Sequence, residues 1–154
     1  MKLGKDSRYA IEGLIVLAGE RSGTIMMLRD IAEKADVPPK FLAKIFQKLK
    51  RAKLLESSRG AVRGYALARH AKSINVRDVI FAVEGSDVFD RCLFWSDRCA
   101  DQNPCPMHFD WQRLRQATAE MMEQLSLAQL AKRKARNSYL RRSSNERSSG
   151  GTVG

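Results

Sequence analysis

No uninterrupted apolar run in this chain approaches the roughly 20 residues that a bilayer span requires. Its first residues, Met-Lys-Leu-Gly-Lys-Asp-Ser-Arg, lack the apolar core and cleavage site of a secretory leader, so the expectation is a cytoplasmic protein without a membrane partner. A phosphate-cradling glycine loop, a Ser/His/Asp constellation and paired carboxylates beside a histidine are missing too, which argues against an enzyme. Cysteine is scarce and odd in number, three in 154 residues. That count argues against a disulfide framework, and clustered thiols in a reducing compartment are more often ligands. Acidic residues are absent between Pro38 and Leu55. No internal repeat occurs. What remains fits one domain, or a small domain with an oligomerising appendage.

Against these absences stands an excess of positive charge, +11 at neutral pH. Such an excess implies a polyanionic partner, because neutralising phosphates releases counterions. The stretch 132–147 carries seven cations against Glu146, a little over half of the excess. Its Arg/Ser/Asn/Gly-rich composition, continuing to residue 154, predicts a basic disordered tail. The rest is only mildly basic, so the placement of its charges matters more than their number.

All three cysteines and one of the two histidines fall within residues 92–108, a turn-rich segment with Pro104 and Pro106. Cys92, Cys99, Cys105 and His108 can converge on one centre. Thiolate and imidazole donors suit zinc or iron–sulfur and suit magnesium or calcium poorly. Three Cys and one His make an ordinary structural zinc set, and spacing alone leaves zinc and iron–sulfur nearly even. A redox thiol switch without metal is a third reading.

Ahead of that segment, apolar residues at helical spacing predict a helix over 6–20, a short helix over 28–35, a tight turn at Asp36 and Val37, and a third helix from Pro38 to about residue 52. Two helices joined by a tight turn form a helix-turn-helix candidate. On the third helix Leu42, Ile45, Phe46 and Leu49 share one face, and Lys40, Lys44, Gln47, Lys48 and Arg51 share the opposite one. Solvated faces usually mix signs. A one-signed face therefore favours a recognition helix in a major groove, with Phe41 at its edge. Extended segments at 54–58 and 64–67 predict a hairpin wing whose tip carries Arg59 and Arg63, where arginine suits a minor groove or phosphates. His70 reads as a surface residue.

Asn75 is a predicted cap for a helix over 76–83. A long helix begins near Phe109, with Leu114, Ala117, Met121 and Leu125 as a stripe lacking an obvious intrachain partner, which suggests a helix–helix dimer contact. Ser126 to Gln129 is a capping box for one further short helix. Trp95 and Trp111 shield the cysteine segment or fill core. The predicted fold class is mainly α with a small β-hairpin wing: a winged helix-turn-helix plus a long C-terminal dimerisation helix. Its parts are a DNA-binding domain (1–84), a cysteine-rich loop (85–108), the dimerisation and short terminal helices (109–131) and the tail (132–154).

The opening Lys-Leu-Gly-Lys-Asp-Ser-Arg-Tyr-Ala, the Arg59-Gly60 wing with Gly64-Tyr65, and the three-cysteine segment resemble the IscR-like winged-helix regulators, bacterial transcription factors of which many sense iron–sulfur status, nitric oxide or iron. The resemblance covers roughly residues 1–130. It implies a homodimer placing its recognition helices in successive major grooves of palindromic double-stranded DNA. It also implies a cluster beside the dimer helix, and so favours an iron–sulfur group (2Fe–2S before 4Fe–4S) over zinc. By position, Cys92, Cys99 and Cys105 match the cluster cysteines and His108 the histidine that follows them. Lys40, Phe41 and Lys44 match base-reading positions, and Arg59 matches the minor-groove arginine. Some relatives use an acidic ligand from the partner's first helix, but Arg8 occupies that region here, with Asp6, Glu12 and Asp101 as weaker options. Three departures stand out: Ala61, Val62 and Arg63 replace a glycine run in the wing, Ala43 sits among the base-reading positions, and six residues separate the first two cysteines where five is common. The expected function is a transcriptional regulator whose operator binding follows the cluster. The rivals are a zinc-stabilised or thiol-redox repressor and, further off, an iron–sulfur electron carrier.

Overall fold

The computed structural model of the chain describes residues 4–94 and 99–149, with side chains through residue 138. The described residues form α1 (Lys5–Ala18), α2 (Leu28–Ala35), α3 (Pro39–Arg51), β1 (Leu55–Arg59), β2 (Arg63–Leu67), α4 (Val76–Glu84), α5 (His108–Gln124) and α6 (Leu127–Ser149). The expected mainly α architecture with a two-stranded antiparallel wing is the one observed.

The apolar stripes predicted from spacing form the core. Leu14 of α1, Ile31 of α2 and Leu42, Ile45, Phe46 and Leu49 of α3 are all 1 % exposed or less. Each such side chain contributes roughly 1.5–3 kcal/mol of transfer free energy, so four of them hold α3 against the first two helices. The turn between α2 and α3 depends on Asp36, which adopts the left-handed conformation (φ 54°, ψ 49°) that a short polar side chain tolerates. Beyond it, Val37 is buried and donates its N–H to the Ala32 carbonyl at 3.0 Å. Tandem prolines shift the start of α3 by one residue from the expectation: Pro38 is the cap and Pro39 the first helical residue.

In the wing, Arg59 pairs with Arg63 and Gly60-Ala61-Val62 form the tip. A third extended segment joins β2 where Tyr65 and Met26 exchange both backbone hydrogen bonds, at 2.8 and 3.0 Å. Gly64 makes this possible. At φ 155° a Cβ there would stand 2.2 Å from the Met26 carbonyl oxygen. Gly64→Ala should therefore lower stability by roughly 2–3 kcal/mol, since backbone cannot yield as a flexible side chain can. Urea unfolding checks this, and an unchanged midpoint would remove the bridge from the account.

Helix α4 is capped as predicted, the Asn75 side-chain oxygen Oδ1 accepting from the Asp78 N–H at 2.8 Å. Its start is tied to the α5–α6 junction by Val76 N–H to Leu125 O and Leu127 N–H to Ile74 O, each 2.9 Å. The Ser126–Gln129 capping box forms in both directions. From there α6 runs back along α1, where Lys134 pairs with Glu12. The expectation of a short terminal helix and a disordered stretch from residue 132 needs correcting: α6 continues through Ser149. Alanine, lysine and arginine are strong helix formers, no proline or glycine interrupts the sequence before Gly150, and α1 supplies tertiary contact at Glu12.

Helix α5 has two distinct faces. His108, Trp111 and Met122 are buried inward, whereas Leu114 and Met121, on a neighbouring side, are 58 % and 55 % exposed, and Ala117 is exposed too. Three of the four residues of the predicted stripe are thus uncovered among the described residues, whereas Leu125 turns inward and packs against Val76, Ile80, Phe89 and Met122. No helix among the described residues is long and apolar enough to cross a membrane.

Candidate metal centre and nucleic-acid interface

Between α4 and α5 the chain makes a short 3-10 turn (Ser86–Phe89) and enters the cysteine loop. Three hydrogen bonds hold the loop to its surroundings. The Cys99 N–H donates to the Asp90 carbonyl (2.9 Å), the Trp111 indole N–H to the Arg91 carbonyl (3.0 Å), and the His108 N–H to the Cys105 carbonyl (3.0 Å). Trp111 thus closes the loop as a shield; Trp95 lies outside the described residues.

The four candidate donors meet as two facing pairs. Cys92 Sγ lies 3.9 Å from Cys105 Sγ, and Cys99 Sγ lies 3.2 Å from His108 Nδ1. Two thiolates at about 2.3 Å from one tetrahedral metal sit about 3.8 Å apart, which the first pair matches. A disulfide requires about 2.05 Å, which it does not. His108 is 3 % exposed, and its other ring nitrogen, Nε2, is 2.9 Å from Asp101 Oδ1. The network assigns the proton to Nε2, donated to the carboxylate, and turns the Nδ1 lone pair towards the thiol. A carboxylate behind an imidazole is the usual support of a metal-ligating histidine. Asp101, a weak ligand candidate on sequence grounds, thus stands one shell further out. Among the described residues no group of three or more such side chains forms a closed cation site. The fit to a metal rests on donor type and on this pairwise approach.

Burial pushes the Cys99 thiol above its ordinary range; the neighbouring thiols Cys92 and Cys105 add to this, and the Arg115 guanidinium opposes it. Without metal the thiol form is therefore favoured, and a metal must displace its proton. Asp101→Asn keeps the shape but weakens the orienting bond, and should reduce metal affinity roughly 10- to 100-fold. Competition against a colorimetric chelator measures it, and equal affinity would return Asp101 to the surface.

On the outward face of α3, Lys40, Lys44 and Arg51 are exposed and have no ion-pair partner among the described residues. Phe41 is 43 % exposed, beside Tyr9 and beneath the Lys5 ammonium, 5.7 Å from its ring. Sequence alone does not single out Lys5, because its position over a ring of another helix is set by tertiary packing. Lys48 is placed differently from the other lysines: its Nζ donates to the Val83 carbonyl (3.2 Å) and lies 3.9 Å from Asp6. Arg59 and Arg63 are exposed and directly opposed across the hairpin. Like charges so placed repel unless an anion sits between or beyond them. A groove of about 950 Å³ at the wing's base adds Lys50, Lys53 and Arg69 against Glu56. Gln47 and Phe46 brace the wing through Tyr65, at 3.4 Å to its hydroxyl and 5.1 Å between ring centres. His70 is exposed and caps a 3-10 turn by accepting from Lys72 N–H.

A helix-turn-helix whose second helix turns a cationic face outward, followed by a two-stranded wing, defines a winged helix-turn-helix transcriptional regulator. Comparison with known proteins specifies the lineage. The sequence model of Rrf2, described as an iron-dependent transcriptional regulator, matches residues 3–133, and the chain belongs to that family. It is 31 % identical over 132 residues to the HTH-type transcriptional regulator IscR of Vibrio campbellii, covering 86 % of this chain and 78 % of that one. Among solved structures it is similar to CymR, the global cysteine regulator of B. subtilis (TM-score 0.72, 25 % identity, 86 % of this chain and 97 % of that one). It is also similar to IscR of T. potens (TM-score 0.70, 25 % identity, 87 % and 88 %). These relatives are transcriptional regulators, not enzymes.

Proposed function

We propose that this regulator binds a palindromic operator as a homodimer and that its affinity is set by an iron–sulfur cluster held by Cys92, Cys99, Cys105 and His108. The observation that carries the reading is the buried imidazole, with Nδ1 aimed at the Cys99 thiol and Nε2 held by Asp101. A bound cluster would supply a centre whose charge and persistence depend on redox state and iron supply.

What the chain's own residues do is hold the loop and connect it to the DNA-binding surface. The loop leaves α4 at Glu84, whose carboxylate accepts from the fully buried Ser7 hydroxyl at 2.8 Å, tying α4 to α1. One residue earlier the Val83 carbonyl accepts from Lys48 of the recognition helix. Any shift at the end of α4 therefore reaches α1 and α3 through two hydrogen bonds rather than through a flexible linker. Regulation follows if the two states of the loop favour different positions of α3, because only differential affinity shifts an equilibrium. The uncovered face of α5, Leu114, Ala117 and Met121, offers the partner contact. Lys40, Phe41, Lys44, Arg59 and Arg63 face DNA, while Lys48 has its first role inside the chain. Lys48→Ala should therefore lower thermal stability as well as operator affinity, whereas a variant that melts normally and binds weakly would make Lys48 a plain DNA contact.

A second reading has its own support. Cys92 and Cys105, 3.9 Å apart, are near enough to close a disulfide after a modest movement, which suits a thiol-based regulator. Purification without oxygen, followed by iron and sulfide analysis and an absorption spectrum, separates the two, with zinc as the colourless third result. Iron and sulfide in near-equal amounts support the cluster. Their absence together with oxidant-dependent operator binding supports the thiol switch.

A further inference from the structure

We propose that Arg115 is the counter-cation of the cysteine centre: its guanidinium is held nearly out of water, with Nη1 unsatisfied, to face the anionic sulfur of a loaded site. The inference rests on the metal-binding reading above and concerns a residue outside the donor set.

Arg115 lies seven residues after His108 on α5, so both fall on the inward face with Trp111 between them. Its side chain is 15 % exposed, and Nη1 has no hydrogen-bond partner among the described residues. The nearest carboxylate oxygen among the described residues, Asp90 Oδ1, is 3.9 Å away, too far for a hydrogen bond. A guanidinium nitrogen removed from water without a partner is costly, and native structures rarely keep one without a use. Arg113, two residues earlier, shows the alternative: it is 82 % exposed and bonded to Asp110 at 2.7 Å. Arg77, whose Nε also lacks a partner, is otherwise occupied, pairing with Glu123 at 2.7 Å and stacking on Phe81.

The surroundings of Arg115 indicate what it is kept for. Asp90, its distant carboxylate neighbour, is the residue whose backbone carbonyl anchors Cys99. The guanidinium thus stands beside the residue that anchors Cys99, on the side of α5 that also carries His108. Loading any thiophilic metal removes thiol protons and leaves negative charge in a half-buried loop. A fixed cation with free N–H donors on the adjacent helix offsets that charge, and planar guanidinium suits such a partner better than ammonium. Arg115 is thus a positioning and charge-balancing residue that does not itself ligate.

The test compares full-length Arg115→Gln and Arg115→Lys with the natural chain in two states. Metal-free, Arg115→Gln should melt no lower than the natural chain, because a largely desolvated cation whose Nη1 lacks a hydrogen bond has been removed. After anaerobic reconstitution with ferrous iron and sulfide, it should lose iron to a chelator with roughly 10- to 100-fold weaker retention, with Arg115→Lys in between. Equal retention by Arg115→Gln overturns the inference, and so does a large metal-free destabilisation, which would make Arg115 a structural residue. If the natural chain takes up no iron, the metal-binding reading fails first and the inference with it. Uptake by the natural chain with unchanged retention in Arg115→Gln sinks the inference alone.

Discussion

Cys99→Ala is expected to yield a colourless, folded protein from a preparation in which the proposed cluster would colour the natural chain brown or red. Of the three cysteines, Cys99 gives the cleanest experiment. Cys105 is 5 % exposed and part of the packed interior, so its loss risks a cavity penalty of its own. Cys99 is partly exposed, and its backbone N–H bond to Asp90 survives the substitution. What alanine removes is the thiol 3.2 Å from His108 Nδ1, and with it one of the two facing pairs. The expected loss is at least about 100-fold in iron affinity, beyond the range of an outer-shell change. The metal-free melting temperature should stay within a few degrees. Full colour in Cys99→Ala would remove this residue from the ligand set.

The second large effect concerns DNA. Lys44→Ala with Arg59→Ala should weaken operator binding by roughly 1–3 kcal/mol for each side chain that reaches a base edge or groove. The slope of log affinity against log salt should become shallower by about one for each phosphate left without its cation. Both side chains are exposed and unpaired among the described residues, so removing them should cost the fold almost nothing. They also lie on separate elements, the recognition helix and the wing. A normal cluster spectrum beside weakened, less salt-sensitive binding would separate reading DNA from sensing. Unchanged operator affinity in both single variants would refute the placement of the interface.

The core of α3 is legible in the sequence because Leu42, Ile45, Phe46 and Leu49 recur with the period of a helix that buries one side. The wing is legible from its Arg-Gly and Gly-Tyr punctuation. The candidate donor set is legible because cysteine is so rare in this chain that its clustering stands out. What escapes depends on neighbours distant in sequence. Lys48 looks like Lys40 and Lys44 until Val83, 35 residues away, accepts its hydrogen bond. Asp101 is legible only as a weak ligand option and Arg115 not at all, since nothing in their spacing reveals that one supports an imidazole and the other is nearly buried. The extent of α6 escapes because Arg- and Ser-rich composition suits both a solvated coil and a helix, and the contact with α1 at Lys134 joins residues that are 122 positions apart.

The two faces of α5 have a consequence for length variation. His108 and Trp111 lie on the inward side of a single rod, and Leu114, Ala117 and Met121 further along it lie on an exposed side. Inserting or deleting one residue between Trp111 and Leu114 would rotate one set by about 100° relative to the other, swinging the outward stripe towards solvent edges where it can meet nothing. Indels in this rod should therefore be tolerated only near whole turns, which makes its register a stricter heritable constraint than the identity of most residues along it.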